Sequence, residues 1–279
     1  MNFKYQLKNA KFIRRLAKPY KDRQRKKEHL DYLRTEDHLR IRKYKDRYPG
    51  KRCFIIGNGP SLVAEDLDCL KDEYTFAANR IYDIFDQTSW RPDFYLAVDD
   101  DFILSNRERI SKIEAQQKFL AVSTDVQKKF SAEDHIIRIF EYTDFKVNKW
   151  NDMSAHISED VSDYFSVGYT VTFTAIQLAL YMGFREIILL GVDFNYSIVR
   201  DKSGRIHREQ GVKDYFSGKR YSSTVLNYTS TLYAYQAAKD YAELHDIRIL
   251  NATRGGKLEV FERVDFDSLN PGRGAPTYN

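Results

Sequence analysis

Between residues 52 and 266, short apolar runs alternate with stretches of helical periodicity. Cys53-Phe54-Ile55-Ile56-Gly57 is a continuous apolar run ending on glycine, the pattern of a strand buried on both faces. It leads through Gly57-Asn58-Gly59-Pro60-Ser61 into a helix carrying Leu67 and Leu70, with Pro60 placed where a missing N–H costs nothing. Further strands are expected at Tyr74–Ala78, Phe94–Val98, Phe119–Val122 and His135–Ile139, with a helix across Asp101–Ala115. Thr172–Met182 reads as an apolar helix stopped by Gly183, and Glu186–Leu190 as a strand ending in Gly191-Val192-Asp193. A second long helix, Thr224–Leu244, precedes a strand at Ile247–Leu250. Strands alternating with helices predict an α/β fold: a mostly parallel, Rossmann-like sheet with helices on both faces.

The N-terminal segment breaks this pattern. Residues 1–52 hold 19 Lys and Arg against 6 Asp and Glu, a balance of +13, although the whole chain carries only +5; the remainder is therefore acidic, at −8. Phe12, Leu16, Leu30, Leu33, Leu39 and Ile41 recur at mostly helical spacings, which predicts one or two helices broken near Pro19. The expected organisation is a basic helical arm over 1–51, an α/β nucleotide-binding catalytic domain over 52–266, and a loose tail over 267–279. Three roles fit the arm: a solvated helix packed on the body, an anchor through residues 1–50 to an anionic membrane surface, or a phosphate-neutralising nucleic-acid arm. The acidic body has no aromatic-basic interleaving and no recognition motif, so no nucleic-acid partner is expected.

No apolar run reaches the ~18–20 residues that span a bilayer, and the N-terminus lacks the uninterrupted apolar stretch of a secretory signal. Cys53 and Cys69, with no CxxC or histidine partner spacing, fit a reducing compartment rather than a disulfide scaffold or zinc site. A cytoplasmic protein is expected, peripheral at the inner membrane face if the arm is an anchor.

In a parallel sheet the residue just beyond each strand marks the ligand-binding edge. Here those residues are Gly57-Asn58-Gly59, Asn79-Arg80, Asp99-Asp100-Asp101, Ser123-Thr124, Asp193 and Asn251, all expected on one edge. The 57–61 loop can bring backbone N–H groups to a phosphate, since glycine removes the Cβ that blocks the approach. It lacks the third glycine of the dinucleotide fingerprint and the Gly-Lys-Ser/Thr ending of a P-loop, which disfavours NAD and a Walker-type ATPase. Asn79 can read a base or sugar and Arg80 can pair with phosphate, or they are a helix cap and a surface cation. Asp99 is a metal ligand or a helix cap. Asp193 suits a metal, a sugar hydroxyl or a general base. Gly168 and Thr170 flank a helix N-terminus where an anion can rest, while Thr172 and Thr174 read as ordinary helix residues. His207, in the polar loop 201–210, is a candidate base, and Tyr215, Tyr221 and Tyr228 are candidate phosphate donors.

Three blocks carry a family resemblance: Phe-Ile-Ile-Gly-Asn-Gly-Pro-Ser-Leu at 54–62, Phe-Ala-Ala-Asn-Arg at 76–80, and Gly-Phe-Arg-Glu-Ile-Ile-Leu-Leu-Gly-Val-Asp-Phe at 183–194. Over roughly 52–265 they resemble the MptE-like domain of archaeal 6-hydroxymethylpterin diphosphokinases and of bacterial motility-accessory and surface-polysaccharide proteins. The same blocks are similar to the small bacterial CMP-sialic-acid-dependent sialyltransferases. That similarity implies donor contacts from Asn58 and Asn79, no obligatory metal, tyrosines on the donor phosphate, and a histidine base before the last long helix. This chain departs there: Tyr221–Ser230 contains no histidine, and His207 lies in the preceding loop.

The expected function is a glycosyltransferase of bacterial surface-polysaccharide assembly. It would use a nucleotide-sugar donor, a CMP-ulosonate among the candidates, with a glycan or lipid-linked acceptor and no obligatory cofactor; an oligomer is compatible with the sequence. The rival is an ATP-dependent pterin diphosphokinase, with Mg²⁺ held by Asp99 and Asp193. A third reading is a non-catalytic nucleotide-binding assembly protein that has kept the loop and lost the base.

Overall fold

The computed structural model describes residues 23–131, 134–142, 153–218 and 225–269. Its centre is an eight-stranded sheet in the order β13-β12-β8-β1-β2-β3-β4-β5. The strands are β1 (Arg52–Ile56), β2 (Tyr74–Ala78), β3 (Phe94–Ala97), β4 (Gln117–Leu120), β5 (Ile136–Arg138), β8 (Glu186–Leu190), β12 (Arg248–Asn251) and β13 (Glu262–Arg263), and every pairing is parallel. Two-residue strands β6 (Glu141–Tyr142) and β7 (Phe165–Ser166) form a separate parallel pair.

Both faces of the sheet are covered, and β1 shows why its run is continuously apolar. Cys53 and Ile55 face a core built with helices Val171–Tyr181 and Tyr228–Leu244, whereas Phe54 and Ile56 face a second core with Leu67, Ile81, Ile103 and Ile110. The expected α/β architecture is the one observed. Gly183, at φ +90°, ends helix Val171–Tyr181 as the sequence predicts.

Several boundaries differ for identifiable reasons. β4 begins two residues before the expected Phe119, because buried Gln117 and Lys118 find partners: the Gln117 amide oxygen accepts from Tyr44 Oη at 3.3 Å, and Lys118 Nζ donates to Ser111 O at 2.8 Å. The helix expected across 101–115 is two short ones, Asp100–Ser105 and Arg107–Ser111. Between them Asn106 leaves helical φ/ψ, and its side-chain amide donates to Phe102 O at 2.8 Å, the competition with the backbone that Asn is prone to. The loop at 201–210 is a hairpin, β9 (Ile198–Arg200) antiparallel to β10 (Ile206–Arg208), with β11 (Leu226–Asn227) on the other side of β9. Asp201 builds its turn by accepting from Ser203 N and Arg205 N, and Gly204 supplies a positive φ.

The described part of the N-terminal segment is helical over 23–32 and Glu36–Arg42 and packs on the body. Tyr32 and Ile41 are fully buried, while Leu30 and Leu39 are exposed. His29 stacks on Phe140 and lies 2.8 Å from Asp163 Oδ1, His38 Nδ1 is 2.9 Å from Ser162 O, and Arg40 donates to Ile136 O at 2.7 Å. Pro19 and the apolar positions Phe12 and Leu16 lie outside the described residues, as do Tyr221 and the last ten residues of the expected tail.

Candidate functional site

After β1 the chain builds outward to β2, β3, β4 and β5; it later returns to the other side of β1 and builds β8, β12 and β13. The loops leaving β1 and β8 therefore diverge, which opens a crevice at the carboxyl ends of those strands. A cleft of about 410 Å³ lies there. Gly57, Asn58 and Gly59 from the β1 end, Asn79 from β2, Asp99 from β3, Asp193 from β8 and Thr170 before helix Val171–Tyr181 all line it. Strand-end residues from farther out do not. Ser123 caps helix Thr124–Gln127, and the buried Asn251 amide ties Leu258 O to Thr253 N.

The glycine loop lies against the β8 turn. Gly57 N–H donates to Leu190 O at 2.7 Å and Gly59 N–H to Gly191 O at 2.8 Å. A Cβ on Gly57 would collide with Gly191 O, and one on Gly59 with the Asp193 carboxylate. Both glycines are thus required by packing, and their N–H groups already have partners. Pro60 and Ser61 sit behind the wall. Leu62 N–H bonds Gly59 O at 3.1 Å, making a turn with Pro60 inside it, and Ser61 Oγ donates to Asp193 Oδ2 at 2.7 Å. The helix that follows, Ala64–Asp68, is five residues long and starts beyond the loop.

Asp193 acts here as a clasp on the loop. Burial raises its pKa above the ordinary carboxylate value, against the opposing hydrogen bonds from Ser61. Asp99 is the N-cap of Asp100–Ser105, accepting from Phe102 N at 2.6 Å. Among the described residues no three His, Cys, Asp or Glu side chains gather as an all-protein metal site would require.

Asn58 and Asn79 line the cleft. Asn58 Nδ2 donates to Ala78 O at 2.9 Å, and its Oδ1 is buried with no partner. Asn79 sits at φ +51°, a conformation Asn tolerates better than most residues, and its carbonyl accepts from Tyr95 Oη at 2.8 Å. It does not cap the following 3₁₀ turn, whose N-cap is Ala78. Arg80 points to the neighbouring helices, over the Phe102 ring and 3.4 Å from Asn106 Oδ1, and does not line the cleft.

The opposite wall is the start of helix Val171–Tyr181. Thr170 is its N-cap, accepting from Thr172 N at 3.4 Å, and Tyr169 beside it holds φ +59°. Gly168 stands behind them, where a Cβ would overlap the Phe173 ring. Tyr228, 41% exposed, packs its ring at a tilt against Phe194 and does not reach the cleft wall. His207 does not line the cleft. It lies on the exposed strand β10 with Nε2 2.8 Å from Asp201 Oδ2, away from the cleft, because the hairpin turn directs it to Asp201.

Residues the sequence did not single out complete the wall. Asn195 Oδ1 is buried without a partner, and Asp214 lines the cleft while accepting from Ser197 N and Oγ. Tyr215, which the sequence did single out, also lines the cleft, and Phe216 N–H next to it bonds Asn58 O at 3.0 Å, so this segment lies over the glycine loop. Glu141 lines the same cleft, partly buried, and accepts from Thr174 Oγ1 at 3.0 Å. Burial pushes its pKa up to about 7, against the opposing effects of Thr174 and Arg25.

Fold and cleft together define a doubly wound α/β protein with its crevice at the point where strand order reverses. The chain belongs to the MptE-like family: the profile described as 6-hydroxymethylpterin diphosphokinase MptE-like matches residues 27–199, which begins inside the basic segment rather than at 52. Among solved structures it is similar to the MAf glycosyltransferase from Magnetospirillum magneticum AMB-1, at 17% identity and a TM-score of 0.49, over 86% of this chain and 39% of that one. This chain thus spans about two fifths of that structure's length. No curated protein matches.

Proposed function

We propose that this protein is a glycosyltransferase that binds a nucleotide-activated sugar in the cleft and transfers the sugar to a hydroxyl acceptor. The observation that carries this reading is the state of the two carboxylates. Asp99 caps a helix and Asp193 clasps Ser61, so both carboxylates that a Mg²⁺-dependent phosphoryl transfer would use already serve a partner within the protein. The amides of Asn58 and Asn79 suit a nucleoside, and the first turn of helix Val171–Tyr181 suits its phosphate. Catalysis would be direct displacement: the walls hold donor and acceptor in line, a carboxylate accepts the hydroxyl proton, and fixed donors stabilise the leaving phosphate. A CMP-ulosonate is the donor we favour, with a lipid-linked glycan of a bacterial surface polysaccharide as acceptor and residues 1–50 keeping the enzyme at the anionic inner membrane face.

The family description favours a second reading, an ATP-dependent diphosphokinase. Thermal shifts with CMP, CDP, UDP and ATP, each with and without Mg²⁺, separate the two. A ligand at about a hundred times its Kd stabilises the native state by about 2.7 kcal/mol, a rise of roughly 5–10 °C here. A metal-independent rise with CMP supports glycosyl transfer; a rise only with ATP and Mg²⁺ replaces it with the kinase. The membrane role is tested by salt-reversible binding to anionic liposomes. The deletion for that test is 1–22, because Tyr32 and Ile41 belong to the core.

A further inference from the structure

We infer that Glu141 is the catalytic base of the cleft, taking the proton from the attacking acceptor hydroxyl. The inference rests on the glycosyl-transfer reading above. Of the cleft carboxylates, Asp99, Asp193 and Asp214 each brace the protein's own backbone or hydroxyls: a helix N-terminus, the Ser61 loop, and Ser197. Glu141 braces no backbone group among the described residues. Among the described residues it receives one hydrogen bond, from Thr174 Oγ1 at 3.0 Å, and Thr174 is itself buried. That bond fixes one oxygen of the carboxylate and leaves capacity on the group for a ligand proton.

Glu141 pairs in register with Phe165 on β7, and the preceding Phe140 stacks on both His29 and Tyr32. Among the described residues Arg25 of the N-terminal helix, which lies over the Phe140 ring, is the charged group that acts on the carboxyl; the acids Asp99, Asp193 and Asp214 line the same cleft, and His29 stacks on Phe140. A carboxyl whose pKa burial pushes up to about 7 is a better proton acceptor than an ordinary one. In the step itself the acceptor oxygen forms a bond to the anomeric carbon as the bond from that carbon to the phosphate oxygen breaks. The electron pair leaves with the nucleotide, and the hydroxyl proton moves to Glu141. Nothing is oxidised or reduced.

The test compares the full-length wild type with Glu141→Gln, which keeps an acceptor for Thr174. CMP binding to both is measured first by calorimetry. With a CMP-activated sugar, Glu141→Gln is expected to lower kcat by about 10²–10⁴-fold with little change in donor KM, and to lose the acidic limb of the kcat/KM profile centred near 7. Glu141→Asp should restore part of the rate with the limb displaced. A kcat within threefold of wild type and an unchanged limb overturns the inference. So does a Glu141 side-chain carboxyl ¹³C signal that titrates in the ordinary range and ignores added CMP, a readout that needs no turnover. If either happens while CMP still binds, the transferase reading stands without Glu141. Absence of nucleotide binding to the wild type fells that reading and the inference with it.

Discussion

The loop after β1 and the first turn of helix Val171–Tyr181 share one cleft, and both carry the sequence marks of an anion site. One has two glycines after a buried strand; the other has Gly-Tyr-Thr before a helix. In the loop, the N–H groups of Gly57 and Gly59 already bond β8 carbonyls, and the bare Cα atoms admit Gly191 O and the Asp193 carboxylate. Across the cleft an 11-residue helix opens its positive end to the crevice, with Thr170 as cap. Glycine beside a strand end can serve the ligand or the neighbouring strand, and here the neighbouring strand accounts for it.

The sharpest way to break this contrast is Gly59→Ala. The new methyl has no room beside the Asp193 carboxylate, so loop and clasp must separate; a loss of about 3 kcal/mol is expected in urea unfolding, with m unchanged. A stable Gly59→Ala protein that loses nucleotide binding alone would return the glycines to a ligand role.

Much of the fold was legible because β1 and β8 are uninterrupted apolar runs between helices of clear periodicity, and Tyr74–Ala78 and Glu186–Leu190 fall where the pattern places them. Strand ends then pointed to Asn58, Asn79, Asp99 and Asp193 as neighbours. What the pattern could not reveal was partnership. Glu141 sits alone between Phe140 and Tyr142 on a two-residue strand, and its partner Thr174 is 33 positions away on a helix where it looked ordinary. His207 drew notice as a lone histidine in a polar stretch, yet Asp201, six residues back, claims it through a local turn.

On the helix side, Thr170→Ala removes the cap. A loss of about 1 kcal/mol is expected, together with severalfold weaker nucleotide binding, because the first turn frays where the phosphate would rest. The matching change on the loop side is Asp193→Asn, which keeps an acceptor for Ser61 and removes the charge. The folded-state pKa of Asp193 is raised, so its contribution to stability is present below the ordinary carboxylate range and lost as pH rises through the folded value. The variant should match wild type in acid and exceed its Tm at pH 7. A Tm difference that shrinks as pH rises would mean that the clasp needs the charge.

The smallest effect belongs to His207→Ala. The ring is exposed on β10, and Asp201, held well below the ordinary carboxylate range by its hydrogen bond to His207 and those from the Ser203–Arg205 turn, keeps those turn partners when the histidine is gone. No change in Tm, nucleotide affinity or kcat is expected, whereas Glu141→Gln moves kcat by orders of magnitude. Two outcomes would reverse the comparison: a collapse of kcat in His207→Ala, or a neutral limb of the pH profile that follows His207 rather than Glu141. Either would require the β9–β10 hairpin to swing over the cleft during turnover, bringing its histidine to a ligand it does not meet in this structure.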